Sequence, residues 1–316
     1  MYYRLRRLGI FCAVAAMAAS SWARAADPVP AAEPVVAAAA EDAAEAMPFT
    51  PGERIVAKLY WSMFYVGSAV FEVHPIETYD GQEAYKFVMK AKTNAFADKI
   101  YKVRENITSY TTKDLSRSLH YSKHHTEGKD TKEIEVDFDW EKNEVTYSNF
   151  DEARNPVALK PNTHDPLGVF YYARWAYKDG MTSMDDTLTD GKKVVESTVT
   201  IVRKERIEVN GRTYDTILIE PDLKDVGGVF KKTKNAKLQV WLTDDDRRVP
   251  VKITSKVVVG SFTAYVTDVQ QVSNFETNTA ESVISSLEAQ EGGGQTAGEE
   301  TAPAKPSMIE RWFGRD

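Results

Sequence analysis

From about Thr50 to Val272, apolar and polar residues alternate with a period of two in one segment after another. The segments read "RIVAKLYW", "GSAVFEVHPI", "EAYKFVMKAKT", "YKVRENITSY", "KEIEVDFDW", "NEVTYSNF", "ESTVTIVRKERIEV", "RTYDTILIEP", "AKLQVWLT", "VPVKITSKVVV" and "FTAYVTDVQQV". Successive side chains on a strand point to opposite faces, so each segment has one apolar side, and β-branched and aromatic residues suit a pleated surface. The pairs Asp80-Gly81, Asp190-Gly191 and Asn210-Gly211 supply residues tolerant of positive φ where the chain must reverse. Eleven strands at meander spacing predict a mainly β protein: a single large antiparallel sheet, curled and half-open like a barrel.

One segment breaks the alternation. In "THDPLGVFYYARWAYKDG", Asp165 is placed to cap, Pro166 fits a first helical turn and Gly180 closes the element, which predicts a helix over Pro166–Lys178. Leu167, Phe170, Tyr171 and Trp175 form its apolar stripe, and the concave face of the curled sheet is the surface available to cover it.

The charge run in "LQVWLTDDDRRVPVKI" lies between two alternating strands. Leu238, Val240 and Leu242 share one face, as do Val249, Val251 and Ile253, so Thr243–Arg248 is read as a solvated hairpin connection. Pro250 lacks an N–H and favours an edge or unpaired place in the returning strand.

The ends are different. Arg4, Arg6 and Arg7 precede an apolar run from Leu8 to Ala19 and then "SWARA", the pattern of an export signal cut after Ala25. Residues 26–48, rich in alanine, proline and acids, are expected to be a disordered spacer, with the β-rich domain over 49–276. Residues 277–316 are expected to be a flexible tail ending in a short amphipathic stretch, "SMIERWFGRD", where Ile309, Trp312 and Phe313 share a side and offer a docking motif for an envelope protein. The only cysteine, Cys12, lies in the signal, so the exported chain has no thiol for a disulfide, a nucleophile or a metal. Loss of four arginines with the signal takes the formal charge from −7 to −11, which disfavours nucleic acid. The expected compartment is the periplasm or another exported location, with the chain soluble after cleavage.

Candidate chemistry is sparse. No nucleophile elbow, phosphate loop, His-Glu-x-x-His helix or dinucleotide fingerprint occurs, and no cofactor is expected. His120 and His124 on one strand face would be about 13 Å apart, too far for one metal. Glu133, Glu135, Asp137 and Asp139 share a face, as a wet sheet surface does; a carboxylate-based hydrolase would need a cleft and unlike environments for two acids. Arg174, beside Phe170, Tyr171 and Trp175, has two readings: a stem buried along apolar surface with its head in water, or an anion clamp at a cavity mouth. These four residues are the candidate ligand-binding set.

"YVGSAVFEV", "HDPLGVFYYAR" and "AKLQVWLTDDDRRVPVKITSKVVVGSFTAYV", taken in order, resemble a bacterial exported family known as domain of unknown function 3108, over about Thr50–Val272. The resemblance implies an exported β-rich fold with no established activity, so no catalytic residue carries over. The hairpin with Trp241 near a strand end, an acidic turn and Pro250 is also similar to one in periplasmic lipoprotein carriers, whose incomplete barrel wraps an apolar cavity. The expected function is an exported, non-catalytic binding protein for an amphiphilic or glycan-like envelope ligand, with a structural or assembly role as the alternative and a hydrolase third.

Overall fold

The computed structural model describes residues 46–222, 237–256 and 261–292. The expected signal, the spacer up to residue 45 and the amphipathic end at Ser307–Asp316 lie outside the described residues.

Among the described residues seventeen strands form one sheet. They are β1 (Glu53–Trp61), β2 (Phe64–Val73), β3 (Glu77–Tyr79), β4 (Gln82–Thr93), β5 (Val103–Thr112), β6 (Ser118–Glu127), β7 (Asp130–Asp139), β8 (Glu144–Asn149), β9 (Glu152–Ala153), β10 (Val157–Ala158), β11 (Thr163–His164), β12 (Ser183–Thr189), β13 (Val194–Val209), β14 (Arg212–Pro221), β15 (Lys237–Thr243), β16 (Pro250–Lys256) and β17 (Ser261–Gln271). The first and last strands pair with each other, so the meander runs from β8 back through β4, β2 and β1 to β17 and on down to β12. Every pairing is antiparallel except β11–β12. Among the described residues nothing pairs the β8–β10 edge with the β11–β12 edge, so the sheet curls without closing into a barrel. The turns follow the sequence signals: Asp80 and Asn210 both have positive φ, each followed by a positive-φ glycine.

Of the six strands outside the eleven read from the sequence, β3, β9, β10 and β11 have only two or three residues, and β6 and β12 carry no period-two signature. β6 puts Lys123 and His125 on the buried face, and β12 places Asp185 and Asp186 beside Met184, so polar residues hide the pattern.

Helix α1 (Ala95–Asp98) is a single turn between β4 and β5, and α2 (Gly168–Ala176) lies inside the curl. Phe170 stacks on Phe71 at 5.3 Å and Tyr171 on Phe87 at 3.8 Å, with Phe49 edge-on to Tyr171. Thus the stripe predicted from sequence covers the concave face, and the β2–β8 half of that face is filled by the protein's own side chains. On the other half, Ile217, Ile219, Val240, Leu242 and Ile253 form a second apolar cluster against Phe170, Ala173 and Ala176.

The expected flexible tail is corrected in its first part. Residues Ala280–Gly292 form helix α3, which packs Ala280 and Ile284 on Val56 and Val70. Those positions face away from Ile55 and Phe71, so α3 covers the outer side of the sheet. Ala280, Val283, Ile284 and Leu287 have helical spacing, and Lys90, Lys92 and Lys58 pair with Glu281, Glu288 and Glu291 along the helix. Packing on the sheet supplies the stability that this spacing alone lacks in isolation.

Candidate binding site

The site is built around the anchoring of α2. At its start, Asp165 is fully buried, and its Oδ1 accepts from the N–H groups of Leu167 (2.8 Å) and Gly168 (2.9 Å). Ser109 and Ser118 donate to Oδ2 at 2.6 and 2.5 Å. Burial pushes this carboxyl up, and the four donors oppose the shift. Gly168 follows because a Cβ there would come within 2.8 Å of the Ser118 Oγ and 2.9 Å of Thr111 Oγ1. The neighbouring His164 is also buried, held between Asp186 (Nδ1 to Oδ2, 2.8 Å) and the Leu115 carbonyl (2.8 Å).

At the other end of α2, Arg174 is fully buried. Its Nη1 donates to Glu53 Oε1 at 2.7 Å, Nη2 to the Arg247 carbonyl at 2.9 Å, and Nε to the Arg248 carbonyl at 3.1 Å. This corrects both sequence readings of Arg174. Its head is neither in water nor free to clamp an anion, because Glu53 and the carbonyls of the β15–β16 turn occupy its donors. The signal was in β1: Glu53, Ile55 and Ala57 share a parity, which places an acid on the apolar face.

The charge run is a hairpin turn, as its periodicity predicts, and Pro250 sits where the β15–β16 register shifts. It is more than a solvated loop. Asp245 Oδ1 accepts from Thr243 Oγ1 and from the N–H groups of Arg247 and Arg248, shaping the carbonyls that receive Arg174. Arg248 in turn donates to the Arg174 carbonyl at 3.1 Å.

Between these two anchors, α2 leaves a slit against β13–β16. Val169, Phe170 and Ala173 line one wall and Val199, Ile219, Leu238, Val240, Leu242 and Ile253 the other, around a cavity of about 60 Å³. Among the described residues Arg174 is the only charged one in the lining, and its donors are already engaged. A wider depression of about 470 Å³ lies at Thr112–Arg117, Trp140 and Asn143, where Arg117 covers the Trp140 ring at 4.8 Å. Its charges and aromatic face already have partners, so the slit is the stronger candidate. Of the four residues read from the sequence, Phe170 lines the slit, Arg174 borders it through its stem, and Tyr171 and Trp175 pack into the main core instead.

The remaining candidate chemistry divides by face. His120 lies between Glu135 and Asp137 at 2.9 Å each, and His124 pairs with Glu133, so the acid row is the solvent side of β7. His125 points inward to Glu105, which also holds Lys123 at 3.0 Å. Burial pushes Glu105 up, but Lys123 and His125 outweigh it and hold the carboxyl below its usual range. Sequence reasoning missed this buried cluster, although Val103, Glu105 and Ile107 share a parity that marks the acid as inward-facing. No helix among the described residues is long and apolar enough to cross a membrane.

The family described as "Protein of unknown function (DUF3108)" matches residues 57–267. No curated protein matches the chain. Among solved structures, a β-barrel-like protein of domain of unknown function DUF1849 from Brucella abortus is 13% identical, with 70% of this chain and 98% of that one covered and a TM-score of 0.49. A Bacteroides fragilis protein with a YmcC-like fold is 8% identical, with 71% and 98% covered and a TM-score of 0.34. The lipoprotein LppX of Mycobacterium tuberculosis is 11% identical, with 71% and 89% covered and a TM-score of 0.22.

Proposed function

The chain belongs to the DUF3108 family, and we propose that it is an exported, non-catalytic binding protein that takes the hydrocarbon part of an amphiphile into the slit beneath α2. The observation that carries this reading is the lining: two walls of aliphatic and aromatic side chains, with no unengaged charge between them among the described residues. Such a surface gains from removing apolar area from water and offers a sugar no hydrogen-bonding group, so it favours an acyl chain over a glycan. A cavity of about 60 Å³ is far below the roughly 300–1,000 Å³ of a drug-sized site. In this conformation it has room only for the end of one narrow chain, and a longer stretch of chain or a ring requires α2 to shift.

Fluorescence of a dansyl-labelled long-chain fatty acid tests the reading. Binding should be saturable and lost in Ala173→Phe, whose ring overfills the slit; the overpacking should cost about 1–3 kcal/mol, with a melt that stays cooperative. Equal binding by Ala173→Phe would remove the slit from the account. A second reading, an assembly protein of the envelope, is supported by the filled β2–β8 half of the concave face, where Phe49, Phe71, Tyr85, Phe87 and Tyr171 leave no room for a ligand. It predicts no fatty-acid binding in either form.

A further inference from the structure

Soluble surfaces rarely gather large apolar side chains in one place without a use for them. Among the described residues, seven large apolar side chains are exposed, and five of them, Met63, Phe64, Phe96, Ile100 and Phe150, belong to connections at one end of the sheet. Met63 is 80% exposed and Phe64 51%, at the β1–β2 turn; Phe96 is 51% exposed, on α1. These connections touch. The Asn94 side chain caps α1 and donates to the Tyr65 carbonyl at 2.9 Å, and its backbone N–H donates to the Val66 carbonyl. The Gly128 N–H donates to the Lys102 carbonyl at 2.7 Å, which brings the β6–β7 turn beside α1. The Phe150 N–H donates to the Glu133 carbonyl, near the same end of β7. Trp61 pairs with the exposed Phe64 on one side and Phe262 on the other, and Trp61 and Phe262 are half-buried aromatic residues behind the rim.

The charge at this rim opposes the charge of the whole. The chain is acidic, at −7, yet Lys99, Lys102 and Lys129 are exposed here and form no ion pair among the described residues. The neighbouring acids are engaged: Asp98 is held by Arg104 at 2.6 Å and Glu127 lies 3.3 Å from His125. Apolar side chains interleaved with unpaired lysines, backed by aromatic residues, are what a protein needs to rest in the headgroup layer of an anionic bilayer.

We propose that this rim, Met63, Phe64, Phe96 and Ile100 with Lys99, Lys102 and Lys129, docks the protein on an anionic lipid surface. The docking does not depend on what the slit binds, but it places the slit well. Lys237, Lys256 and Ser261 lie in register across the sheet, the Ser62 N–H donates to the Ser261 carbonyl, and Leu238 in the slit wall is the next residue inward. An acyl chain leaving the bilayer at the rim would meet the slit from that end.

Flotation of the exported protein with vesicles of phosphatidylcholine alone, and of equal parts phosphatidylcholine and phosphatidylglycerol, tests the proposal. The expected result is binding to the mixed vesicles that weakens with salt. Lys99→Gln/Lys102→Gln/Lys129→Gln should weaken it about a hundredfold, and Phe64→Ser/Phe96→Ser should abolish it. Because all these side chains are exposed, melting temperatures should match the parent, and the fatty-acid probe should still bind the lysine variant if the slit reading holds. Undiminished vesicle binding by both variants would overturn the proposal. So would absence of vesicle binding, whether the chain stays monomeric in sedimentation or forms a dimer that Phe64→Ser disrupts, since a second copy would then be the rim's occupant.

Discussion

Arg174 and Glu53, 121 residues apart, meet in a buried ion pair with Nη1 and Oε1 separated by 2.7 Å and both side chains at most 2% exposed. The pair fastens the end of α2 to β1, while the next residue on that strand, Arg54, turns to the other face and pairs with Glu72 and Asn278. One strand therefore holds α2 inside the curl and the approach to α3 outside it.

Removing Arg174 leaves the buried Glu53 carboxylate with one charged partner, the exposed Arg247 at 3.3 Å. Arg174→Met should cost about 3–5 kcal/mol in chemical denaturation. The double variant Arg174→Met/Glu53→Leu should recover part of that loss, because no carboxylate is left unpaired. A single-variant loss below about 1 kcal/mol, the range of surface sites, would show that Arg174 reaches solvent.

Tyr171 separates packing from polarity. Its ring stacks on Phe87 with full burial, and its hydroxyl has no hydrogen-bond partner among the described residues. Burial pushes the phenol pKa well above its ordinary value. Tyr171→Phe should be neutral or stabilising, since it removes an unsatisfied buried group, whereas Tyr171→Ala should cost about 3–5 kcal/mol. Thermal melts of the two variants check both halves.

Helix α3 offers a direct test of the corrected C-terminal region. Ile284 is 2% exposed against Val56 and Val70. Ile284→Ala should cost about 2–5 kcal/mol, where a loose tail would register no change in the denaturation midpoint.

Histidine protonation should leave a signature above neutral acidity. Burial pushes His164 down, but the hydrogen bond and charge of Asp186, with the Leu115 carbonyl, outweigh it and hold its pKa above the ordinary 6.5. The folded state then binds a proton more tightly than the unfolded chain, so its contribution is complete below about pH 6.5 and fades as pH rises through the raised folded value. Stability measured across pH 5–9 should decline toward the alkaline side, and His164→Gln should flatten that decline. His120 and His125 are shifted the same way and leave a residual slope.

Much of this architecture is legible in the sequence because burial on one face of a strand writes itself as period two. The eleven strands read from the pattern, the hairpin around Asp244–Arg248 and the helix behind Asp165-Pro166 all depend on near neighbours, which a linear pattern records. What it hides is pairing between distant residues. Arg174 looks like a snorkelling residue until Glu53 and the Arg247 and Arg248 carbonyls are brought to it by β1 and the β15–β16 turn. β6 is obscured because Lys123 and His125 are inward yet polar, satisfied by Glu105 on β5. α3 did carry a signal, the spacing of Ala280, Val283, Ile284 and Leu287, masked by the acidic and serine-rich residues between them. The slit itself is an unfilled gap between surfaces, and no residue type announces it.

Native mass spectrometry of the protein purified after export tests the central claim most directly. The account predicts a population heavier than the chain by the mass of one amphiphile bearing a single hydrocarbon chain, released on denaturation and missing from Ala173→Phe. Protein mass alone in the parent, with no uptake of added long-chain fatty acid, would contradict the slit as a ligand site and leave the assembly role in its place.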